Sequence, residues 1–422
     1  MKNQLSRLAT KLTSLSISKL SEKVEERRAK GETIFNFTLG DFAPKHFPIP
    51  TKLKAEIIKA YQEKHTNYSF VGGILELRKA IAQHIKLHGQ FNYKPEEIIV
   101  ASGARPLIYL LFRTLVDPKE KIIYTAPSWN TEYFIYLTGA VPIRIRTEAK
   151  NNFLPKASEL KPHLKNAVLI SFNSPANPSG TMFDQKTLKE ILDLIVIENR
   201  ARAHKKQKPL YIFFDIIYWL LIYNGSSYKN PTLLNKEIKD YTIFVDGISK
   251  CFAATGVRVG WAFGAQMIIE KMRSMLSHIG AWAPKPEQVG TAKFLNDNRA
   301  VTSFLASFKK ELLARLNIFY TIIQKLKTDG YPVDAISPQG ALYLSIKLDL
   351  IGLKARNNRR LINVDEILTL LIKDSGIALV PFHLFGMPKN LPWFRLSVGT
   401  CSISEAKLAA ERLRQLVISL KK

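Results

Sequence analysis

"AVLISFNSP", at residues 167–175, is a short apolar run closed by turn residues, which is typical of a buried strand. The next segment, "FDQKTLKEILDLIVIENRARAH" at 183–204, has the length and apolar spacing of an amphipathic helix. "PLYIFFD" at 209–215 is a second apolar strand. A strand, a helix and a strand in this order predict parallel strands with a helix packed on the sheet.

The same alternation extends from about residue 95 to residue 300. Further strands are predicted at "EEIIVAS", "KIIYTAP" and "YTIFVDGIS", and further helices at "RPLIYLLFRTLV" and "NTEYFIYLTG". Such alternation is typical of a mostly parallel sheet covered by helices on both faces. Ligands bind these sheets at the carboxyl ends of the strands, so the residues after each strand are the first candidates for a site.

After about residue 300 the pattern changes to α+β. A long helix, "AVTSFLASFKKELLARLNIFYTIIQKLKTDG", is predicted to stop at Gly330. It is followed by strands at "GALYLSIKL", "GIALVPF" and "WFRLSV", by a helix around 364–375 and by a closing helix from about 402. The predicted fold class is α/β, with a large domain built on a mostly parallel central sheet flanked by helices and a smaller α+β domain.

The domain boundaries follow from this change of pattern. A helical pattern in "KLSEKVEERRAKG" ends at Gly31, where a glycine stops a helix, and we expect this segment to join the second domain. We therefore predict an N-terminal arm and helix at 1–50 that form part of the small domain, a large domain at 51–298 and a small C-terminal domain at 299–422.

The net charge of the chain indicates which classes of binding partner are possible. With 62 lysines and arginines against 35 acids, the net charge is +27, which would suit nucleic acid, an anionic membrane or an acidic ligand. The basic residues are scattered, however, and the denser clusters at 204–209 and 354–360 carry no interleaved aromatic residues such as a single-strand binder has. We expect a solvated basic surface and no nucleic-acid partner.

The number of cysteines and the length of the apolar stretches indicate the cellular compartment and whether the chain spans a membrane. The chain has two cysteines, Cys251 and Cys401, which are too few for a disulfide framework and favour a reducing, cytoplasmic compartment. No stretch offers about 20 consecutive apolar residues, so no membrane span is predicted.

The strand ends carry the special residues. After "IIVA" comes "SGARP", in which Ser102 is predicted to cap a helix, Gly103 permits close approach of the backbone and Pro106 suits the first helical turn. A helix start of this kind suits a phosphate. After "LISF" comes the turn "NSPANPSG" at 173–180, which can direct the amide of Asn177 at a ligand.

Asp215 lies inside the apolar run "LYIFFDIIYWLLIYNG", where an ionised carboxylate needs a partner. If the strand ends at Asp215, Tyr218 can turn toward the same site; a structural aspartate hydrogen-bonded to a loop is the equal alternative. After "YTIFV" come Lys250, which near a core can become a nucleophilic amine, and Arg258, which can grip a phosphate. This set matches the needs of pyridoxal 5′-phosphate, and no metal site is expected.

The segment "GISKCFAATGVRVG" resembles the lysine signature of the class I/II aminotransferases, which are fold-type I pyridoxal-phosphate enzymes of the aspartate aminotransferase kind. "NSPANPSG" resembles the Asn-Pro loop of that family, "TNYSFVGGILELRKAI" its Tyr and Glu-Leu-Arg segment, "PSWN" its Pro-x-Trp turn and "WFRLSVG" its C-terminal arginine. These motifs follow the family order from about Gly40 to Arg395, and so the resemblance covers nearly the whole chain.

The resemblance implies a role for each matched residue. Lys250 would be the Schiff-base lysine and proton carrier, and Asp215 would pair with the pyridinium nitrogen. Tyr218 and Asn177 would hydrogen-bond the ring oxygen, and Trp129 would stack on the ring. The phosphate would be bound by Gly103, Ala104, Arg105 and Arg258, and by Tyr68 of a second subunit. The substrate would be bound by Arg395 and the Gly40 backbone, with Trp129 and Asn177 beside it.

Four features depart from the family pattern. Ile216 stands where many relatives have Glu, Ala104 lacks the hydroxyl that several relatives use on the phosphate, and Gly247 replaces a phosphate-binding Ser. "LGDFAPKHFPIP" at 39–50 also differs from the common form. These changes leave more of the phosphate binding to Arg258 and the helix start, and no residue is assigned to the substrate side chain.

The predicted function is a ping-pong aminotransferase that moves the α-amino group of an L-amino acid to a 2-oxo acid. Aspartate, with glutamate and 2-oxoglutarate as the partner pair, is the expected substrate, and the expected assembly is a homodimer with shared active sites. The alternatives are another reaction on the same scaffold, such as a C–S β-lyase or an aminocyclopropane-carboxylate synthase, and, more remotely, a cofactor-binding regulator that contacts nucleic acid.

Overall fold

The computed structural model describes residues 5–12, 16–225, 227–355 and 358–421, so part of the predicted N-terminal arm lies outside the described residues. The α-helices are α1 (Arg7–Lys11), α2 (Ser16–Ala29), α3 (Thr51–Gln62), α4 (Leu75–Gly89), α5 (Ala104–Leu115), α6 (Thr131–Thr138), α7 (Ala157–Leu160), α8 (Gln185–His204), α9 (Pro231–Leu234), α10 (Ile248–Cys251), α11 (Gln266–Ile279), α12 (Lys285–Asn296), α13 (Asn298–Thr328), α14 (Val364–Leu370) and α15 (Ile403–Ser419).

The strands are β1 (Phe35–Asn36), β2 (Ile98–Ala101), β3 (Lys121–Ala126), β4 (Val141–Arg146), β5 (Leu169–Asn173), β6 (Tyr211–Asp215), β7 (Thr242–Gly247), β8 (Gly260–Gly264), β9 (Val333–Ala335), β10 (Tyr343–Leu348), β11 (Ile377–Ala378), β12 (Val380–Pro381) and β13 (Trp393–Ser397). Short 3₁₀ turns lie at Pro95–Glu97, Ala149–Asn151, Lys161–Asn166, Lys236–Tyr241 and Phe382–Phe385, and a π turn at Leu371–Ser375 extends α14.

The central sheet has seven strands in the order β2-β8-β7-β6-β5-β3-β4. All pairs are parallel except those of β8, which runs antiparallel to β2 and β7. The predicted strands and the α/β class are confirmed. Two strands of this sheet, β4 and β8, are not predicted from the sequence.

Both faces of this sheet are covered, as predicted. On one face Phe213 and Val245 pack with α5 and α11 through residues such as Leu111. On the other face Phe214 and Phe244 pack with α8 in a larger apolar cluster. Adjacent residues of one strand thus serve opposite cores, and this period of two fixes which strand-end side chains face the ligand edge.

A second sheet has the order β12-β13-β10-β9 and is antiparallel, with Ser345 opposite Arg395 in its central pair. The predicted strand "GIALVPF" is divided, because β11 pairs with β1 while β12 pairs with β13. The β1–β11 pair, and an apolar cluster that joins Val24 and Ile34 to Ala378, connect the N-terminal segment to the C-terminal part. The N-terminal segment therefore contacts the C-terminal part, while the domain boundaries at 1–50, 51–298 and 299–422 remain a prediction.

Within the described ranges, no helix combines the length and apolar character needed to cross a bilayer.

Candidate active site

A cleft of about 480 Å³ opens at the carboxyl ends of the central parallel strands, where the four-stranded sheet approaches them. Ligand sites commonly have volumes of about 300–1,000 Å³. Ten residues predicted from the sequence line the cleft: Gly40, Ala104, Arg105, Trp129, Asn177, Asp215, Tyr218, Lys250, Arg258 and Arg395. The structure therefore brings together most of the predicted site, with Gly103 directly behind the wall and Tyr68 elsewhere.

Lys250 lies in the short helix α10, directly after β7. Its Nζ donates a hydrogen bond to the carbonyl oxygen of Gly40 at 2.5 Å. Burial lowers the pKa of Lys250 to about 8; Asp41 opposes the shift, and the positive charges of Arg395 and Arg105 add to it. A primary amine that loses its proton near pH 8 can act as a nucleophile under mild conditions.

Asp215 ends β6, opposite Val245 of β7, and faces the cleft. Burial raises the pKa of Asp215 to about 6, while the backbone N–H of Ile217, at 3.2 Å from Oδ1, and the charge of Lys250 lower it in part. Because that lysine charge is itself lost near pH 8, the carboxylate gains from any other cation in the cleft. A ligand atom that carries a positive charge would keep Asp215 ionised.

The chain turns immediately after Asp215. The N–H of Trp219 donates to the carbonyl of Ile216 at 2.9 Å, and this turn brings Tyr218 to the same cleft, as predicted. The Tyr218 hydroxyl lies 2.8 Å from the hydroxyl of Tyr343. Ile216, the residue that departs from the family pattern, is fully buried in the apolar core, where an acid would lack water.

The Asn-Pro loop connects the strand end to the arginine of the second sheet. Asn173 donates from its side chain to the carbonyl of Asp215 at 2.9 Å and accepts the Asn177 N–H at 2.6 Å. Asn177 Oδ1 then accepts from Arg395 Nη1 at 2.9 Å. The Ser174–Pro175 and Asn177–Pro178 peptide bonds are cis. Since Arg395 occupies its oxygen, the Asn177 amide nitrogen is the group left to donate into the cleft.

The start of α5 differs in one respect from the prediction. The residue that caps the helix is Gly103, at φ +90°, and no side chain bonds the first helical N–H groups. The predicted Ser102 cap is therefore wrong, and the Ser102 carbonyl instead accepts from Arg258 Nη2 at 3.0 Å. Pro106 does lie in the first turn. Free N–H groups beside an arginine form a site for an anion.

Three glycines allow this arrangement by close contact. A Cβ on Gly103 would lie 2.1 Å from Arg258 Nη2, and a Cβ on Gly260 would lie 2.5 Å from the carbonyl carbon of Gly103. A Cβ on Gly247 would lie 2.8 Å from the Cα of Gly260. Backbones that approach so closely place the helix start, the arginine and the turn that carries Lys250 side by side.

Arg395, on β13, is only 2% exposed although it lines the cleft. Besides Asn177 it donates to the Thr38 carbonyl at 2.5 Å, and its Cζ lies 4.7 Å from the ring centre of Tyr343. Its Nε is buried without a hydrogen-bond partner among the described residues, and burial lowers its pKa. A buried guanidinium with a free donor is suited to bind a ligand carboxylate.

Trp129 and Arg105 form another wall of the cleft. Trp129 is half-buried, and the guanidinium carbon of Arg105 lies 4.8 Å from the centre of its ring. Among the described residues no carboxylate influences the Arg105 guanidinium, whose pKa is lowered by burial and by the charge of Arg258. It therefore contributes a positive charge next to a flat aromatic surface.

Tyr68 is the predicted residue that the chain does not bring to its own cleft. It is 88% exposed and touches the edge of Trp282, with ring centres 5.5 Å apart. Phe70, two residues later, is 80% exposed. An exposed aromatic pair of this kind is compatible with a subunit contact, and the shared site remains a prediction.

The cleft residues that are not predicted from the sequence include Thr38, Asp41, Thr255 and Tyr343. Asp41 accepts from the Thr255 hydroxyl at 2.7 Å and thus joins the Gly40 segment to the segment after Lys250. Tyr343 begins a predicted strand, but its direction relative to Arg395 depends on strand pairing. A local pattern gives no signal for such contacts.

The residues present fit pyridoxal 5′-phosphate. The lysine amine suits the aldehyde carbon, the Asp215 carboxylate suits a ring cation, and the helix start with Arg258 suits the phosphate. The three glycines let the helix start, Arg258 and the lysine turn approach closely, and Arg395, whose buried Nε lacks a partner among the described residues, suits a further acidic group.

Comparisons with known proteins agree with this geometry. The family model "Aminotransferase class I and II" matches residues 32–413. An aspartate aminotransferase from Bacillus sp. (strain YM-2) is 28% identical over 99% of this chain and 100% of its own length. An asparagine–oxo-acid transaminase from Streptococcus mutans is 28% identical over 90% of this chain and 91% of its own.

Solved structures show the same fold. Aspartate aminotransferase from Rhizobium meliloti superposes with a TM-score of 0.88 at 23% identity, covering 99% of this chain and 100% of that one. The enzyme from Thermus thermophilus gives a TM-score of 0.86 at 24% identity, covering 98% and 100%. Together with the family match, these findings show that the chain belongs to the class I and II aminotransferases of fold-type I, and that it is a pyridoxal-phosphate-dependent aminotransferase.

Proposed function

We propose that this aminotransferase acts on a dicarboxylic L-amino acid, with aspartate as one substrate and glutamate/2-oxoglutarate as the partner pair. The observation that carries the proposal is that the cleft holds, besides Arg258 at the helix start, two further arginines at different walls, Arg395 and Arg105. Two carboxylates of one substrate need two such groups. Relatives that bear the name aspartate aminotransferase support the same substrate class.

The α-carboxylate is assigned to Arg395. Its guanidinium is held by the Asn177 side chain and the Thr38 carbonyl and packs on the Tyr343 ring, so little conformational freedom is lost when an anion binds. Its Nε lacks a hydrogen-bond partner among the described residues, so the buried positive charge is not fully compensated until an anion binds. The Gly40 backbone lies beside Tyr343 on the same side of the cleft, where a Cβ would come within 2.6 Å of the Tyr343 hydroxyl.

The side-chain carboxylate is assigned to the guanidinium of Arg105. Its backbone N–H belongs to the first turn of α5 and stays with the phosphate site, whereas its side chain extends over Trp129. One residue would then serve two ligand groups with two different parts. An asparagine side chain would bind this charge less strongly than a carboxylate, since it offers no opposite charge.

Pyridoxal 5′-phosphate, when bound, supplies an electron sink for the pair of electrons released at the substrate Cα. Lys250 would hold the cofactor covalently and then take the proton from Cα, which its lowered pKa permits. Asp215 would hold a proton on the ring nitrogen by its negative charge. The Tyr218 hydroxyl and the Asn177 amide would donate to the ring oxygen, and Trp129 would cover the ring face.

The phosphate would be bound by the N–H groups of Gly103, Ala104 and Arg105 and by the side chain of Arg258. In addition, we propose a homodimer in which Tyr68 reaches the phosphate of the other subunit, which its exposure supports. Mixing Tyr68→Phe with Lys250→Ala subunits, under conditions that exchange subunits, should restore part of the activity that either variant lacks. No recovery after confirmed exchange would count against a shared site.

The substrate proposal is tested with Arg105→Gln. We expect kcat/KM for aspartate to fall about 10- to 100-fold, as for the loss of a charged hydrogen bond, while kcat/KM for alanine changes by less than about threefold. Donors are compared with 2-oxoglutarate as acceptor. The matched control is Arg113→Gln, on the same helix but bonded to the Thr138 carbonyl away from the cleft. Equal losses for aspartate and alanine, or asparagine as the preferred donor, would overturn the assignment.

A further inference from the structure

Tyr343 is the first residue of β10 and lies opposite Ser397 in β13, while Ser345 lies opposite Arg395. In an antiparallel pair, residues two apart on each strand share a face, so Tyr343 and Arg395 are diagonal neighbours on the face toward the cleft. Tyr343 is 1% exposed. It is thus a buried phenol in the wall of the site to which the family roles above give no function.

Three residues of the proposed site touch this one side chain. The Tyr343 hydroxyl is 2.8 Å from the Tyr218 hydroxyl, and the two rings meet edge to face at 5.6 Å. The ring carries the Arg395 guanidinium on its face at 4.7 Å. Its hydroxyl also fills the space where a Cβ of residue 40 would be. Tyr343 therefore connects the carboxylate end of the cleft to the phenol beside the cofactor ring.

Two phenols that share one hydrogen bond must divide the roles of donor and acceptor. If Tyr218 donates to Tyr343, its proton is used and cannot reach a ligand. If Tyr343 donates, the Tyr218 oxygen is satisfied and its own proton is free to point into the cleft. The direction of this single bond decides whether Tyr218 can act as a donor.

The charge of Arg395 favours donation by Tyr343. Burial raises the pKa of both phenols, and Arg395 lowers both. Arg395 lies on the Tyr343 ring face, 4.7 Å from its centre, and is the strongest influence that opposes burial for Tyr343, whereas it is the weakest cause for Tyr218. The more acidic of two phenols is the better donor. A cation on one ring face therefore orders the proton on the neighbouring tyrosine.

We propose that Tyr343 is a positioning residue for transamination: it donates to the Tyr218 hydroxyl and so directs the Tyr218 proton into the cleft. The inference rests on the proposed role of Tyr218 as a donor to the cofactor's ring oxygen. It adds that the ordering depends on Arg395, so the carboxylate site and the ring site are coupled through one side chain.

Tyr343→Phe tests the proposal because it keeps the ring under Arg395 and removes only the hydroxyl. We expect kcat to fall about fivefold, as for one hydrogen bond, with KM for the amino acid changed by less than about twofold. The pH midpoint of the visible absorbance of the holoenzyme should rise by about half a unit, since weaker donation stabilises the deprotonated chromophore less. A midpoint does not depend on how much protein is folded.

A double-mutant cycle separates action through Tyr218 from an independent effect. In a Tyr218→Phe background, Tyr343→Phe should lower kcat less than about twofold and leave the absorbance midpoint in place. The control is Tyr223→Phe, a buried phenol that donates to the nearby Ala341 carbonyl, away from the cleft; its removal should leave the midpoint unchanged.

The outcomes are distinguishable. A Tyr343→Phe effect of the same size in both backgrounds, or an unchanged midpoint, overturns the positioning role of Tyr343. If Tyr218→Phe by itself changes neither kcat nor the midpoint, it is the proposed role of Tyr218 that fails.

Discussion

Two carboxyl groups lie near the ends of neighbouring parallel strands, but one lines the cleft and the other is buried in the core. Asp215 is the last residue of β6 and pairs in register with Val245; Asp246 follows on β7 and therefore faces the opposite side of the sheet. Asp215 lines the cleft. Asp246 is 2% exposed in the apolar core and accepts from Trp219 Nε1 at 2.8 Å.

The pKa of both groups is raised by burial, to about 6 for Asp215 and to about 8 for Asp246. Neighbouring donors lower each value in part: the Ile217 amide for Asp215, and the Gly247 amide and Trp219 for Asp246. The carboxyl with the larger shift is the one without access to a ligand. Burial and a raised pKa thus do not identify a functional carboxyl; contact with a ligand-sized space does.

The largest expected effect is that of Lys250→Ala, whose charge acts on Asp215 but is not among the causes of the Asp246 shift. Loss of the amine should lower the transamination rate by at least about 10⁴-fold and prevent covalent retention of the cofactor. Rates and the visible spectrum check this, with Lys271→Ala, an exposed lysine of α11, as control. Wild-type exchange by the Lys250 variant would remove the catalytic assignment.

The next effect separates the two aspartates directly. Asp215→Asn should lower kcat by about 10²–10³-fold, because a neutral amide cannot hold a proton on the ring nitrogen. Asp246→Asn, the matched variant, should stay within about threefold of wild type because it leaves the cleft unchanged. Steady-state kinetics on both variants measure this difference in kcat. Equal losses of kcat would show that the two carboxyls do not differ in their role in catalysis.

Of the two carboxyls, Trp219→Phe acts on Asp246. Removing the indole N–H leaves the Asp246 carboxyl without its side-chain donor, and the free energy of unfolding should fall by about 1–3 kcal/mol. Catalysis should change by less than about twofold. Urea unfolding of the cofactor-free protein measures the first quantity, and a more than tenfold loss of kcat would instead place Asp246 in the catalytic machinery.

The smallest effect is a difference in pH dependence. A carboxyl whose folded pKa is raised above 3.8 binds more protons in the folded state, so the free energy of unfolding falls as pH rises through the window between the two values. That window reaches about 6 for Asp215 and about 8 for Asp246, with a slope of at most about 1.4 kcal/mol per pH unit each.

Consequently, Asp246→Asn should flatten the decline between pH 6 and 8 in cofactor-free protein, and Asp215→Asn should flatten it only below pH 6. Lys250, whose pKa is lowered to about 8, contributes in the opposite direction and only above that pH. Urea midpoints across this range check the order. The same profile for both variants would show that the two carboxyls titrate alike.

The local sequence is sufficient to predict the position of a site residue wherever the same short stretch encodes both a strand or turn and its end. The sequence predicts the strand that ends at Asp215, the turn to Tyr218 and the lysine after β7, and in the structure these three residues line one cleft. Of the two readings of Asp215, a ligand contact and a loop-bonded structural residue, the structure contains both features, since Asp215 accepts from Ile217 and faces the cleft.

The local sequence is insufficient to predict a feature that depends on contacts with residues far along the chain. The strand β8 is short and begins and ends with glycine, which lowers strand propensity, and its antiparallel direction follows from neighbours far along the chain. Ser102 has the chemistry of a helix cap, but its carbonyl is engaged by Arg258, and Gly103 takes the capping position. The position of Tyr343 beside Arg395 depends on the register between β10 and β13, which the local sequence does not encode.

The three glycines behind the phosphate site have a consequence for engineering. Gly260 is not among the residues that line the cleft, yet its backbone separates Gly103 from Gly247 with no room for a methyl group. An alanine there would have to push the helix start away, because its Cβ would lie 2.5 Å from the Gly103 carbonyl carbon and 2.7 Å from the Ala104 nitrogen. A map of mutational tolerance should therefore show three intolerant positions, Gly103, Gly260 and Gly247, and libraries that aim at new substrates should leave these positions intact and vary the walls around Arg105.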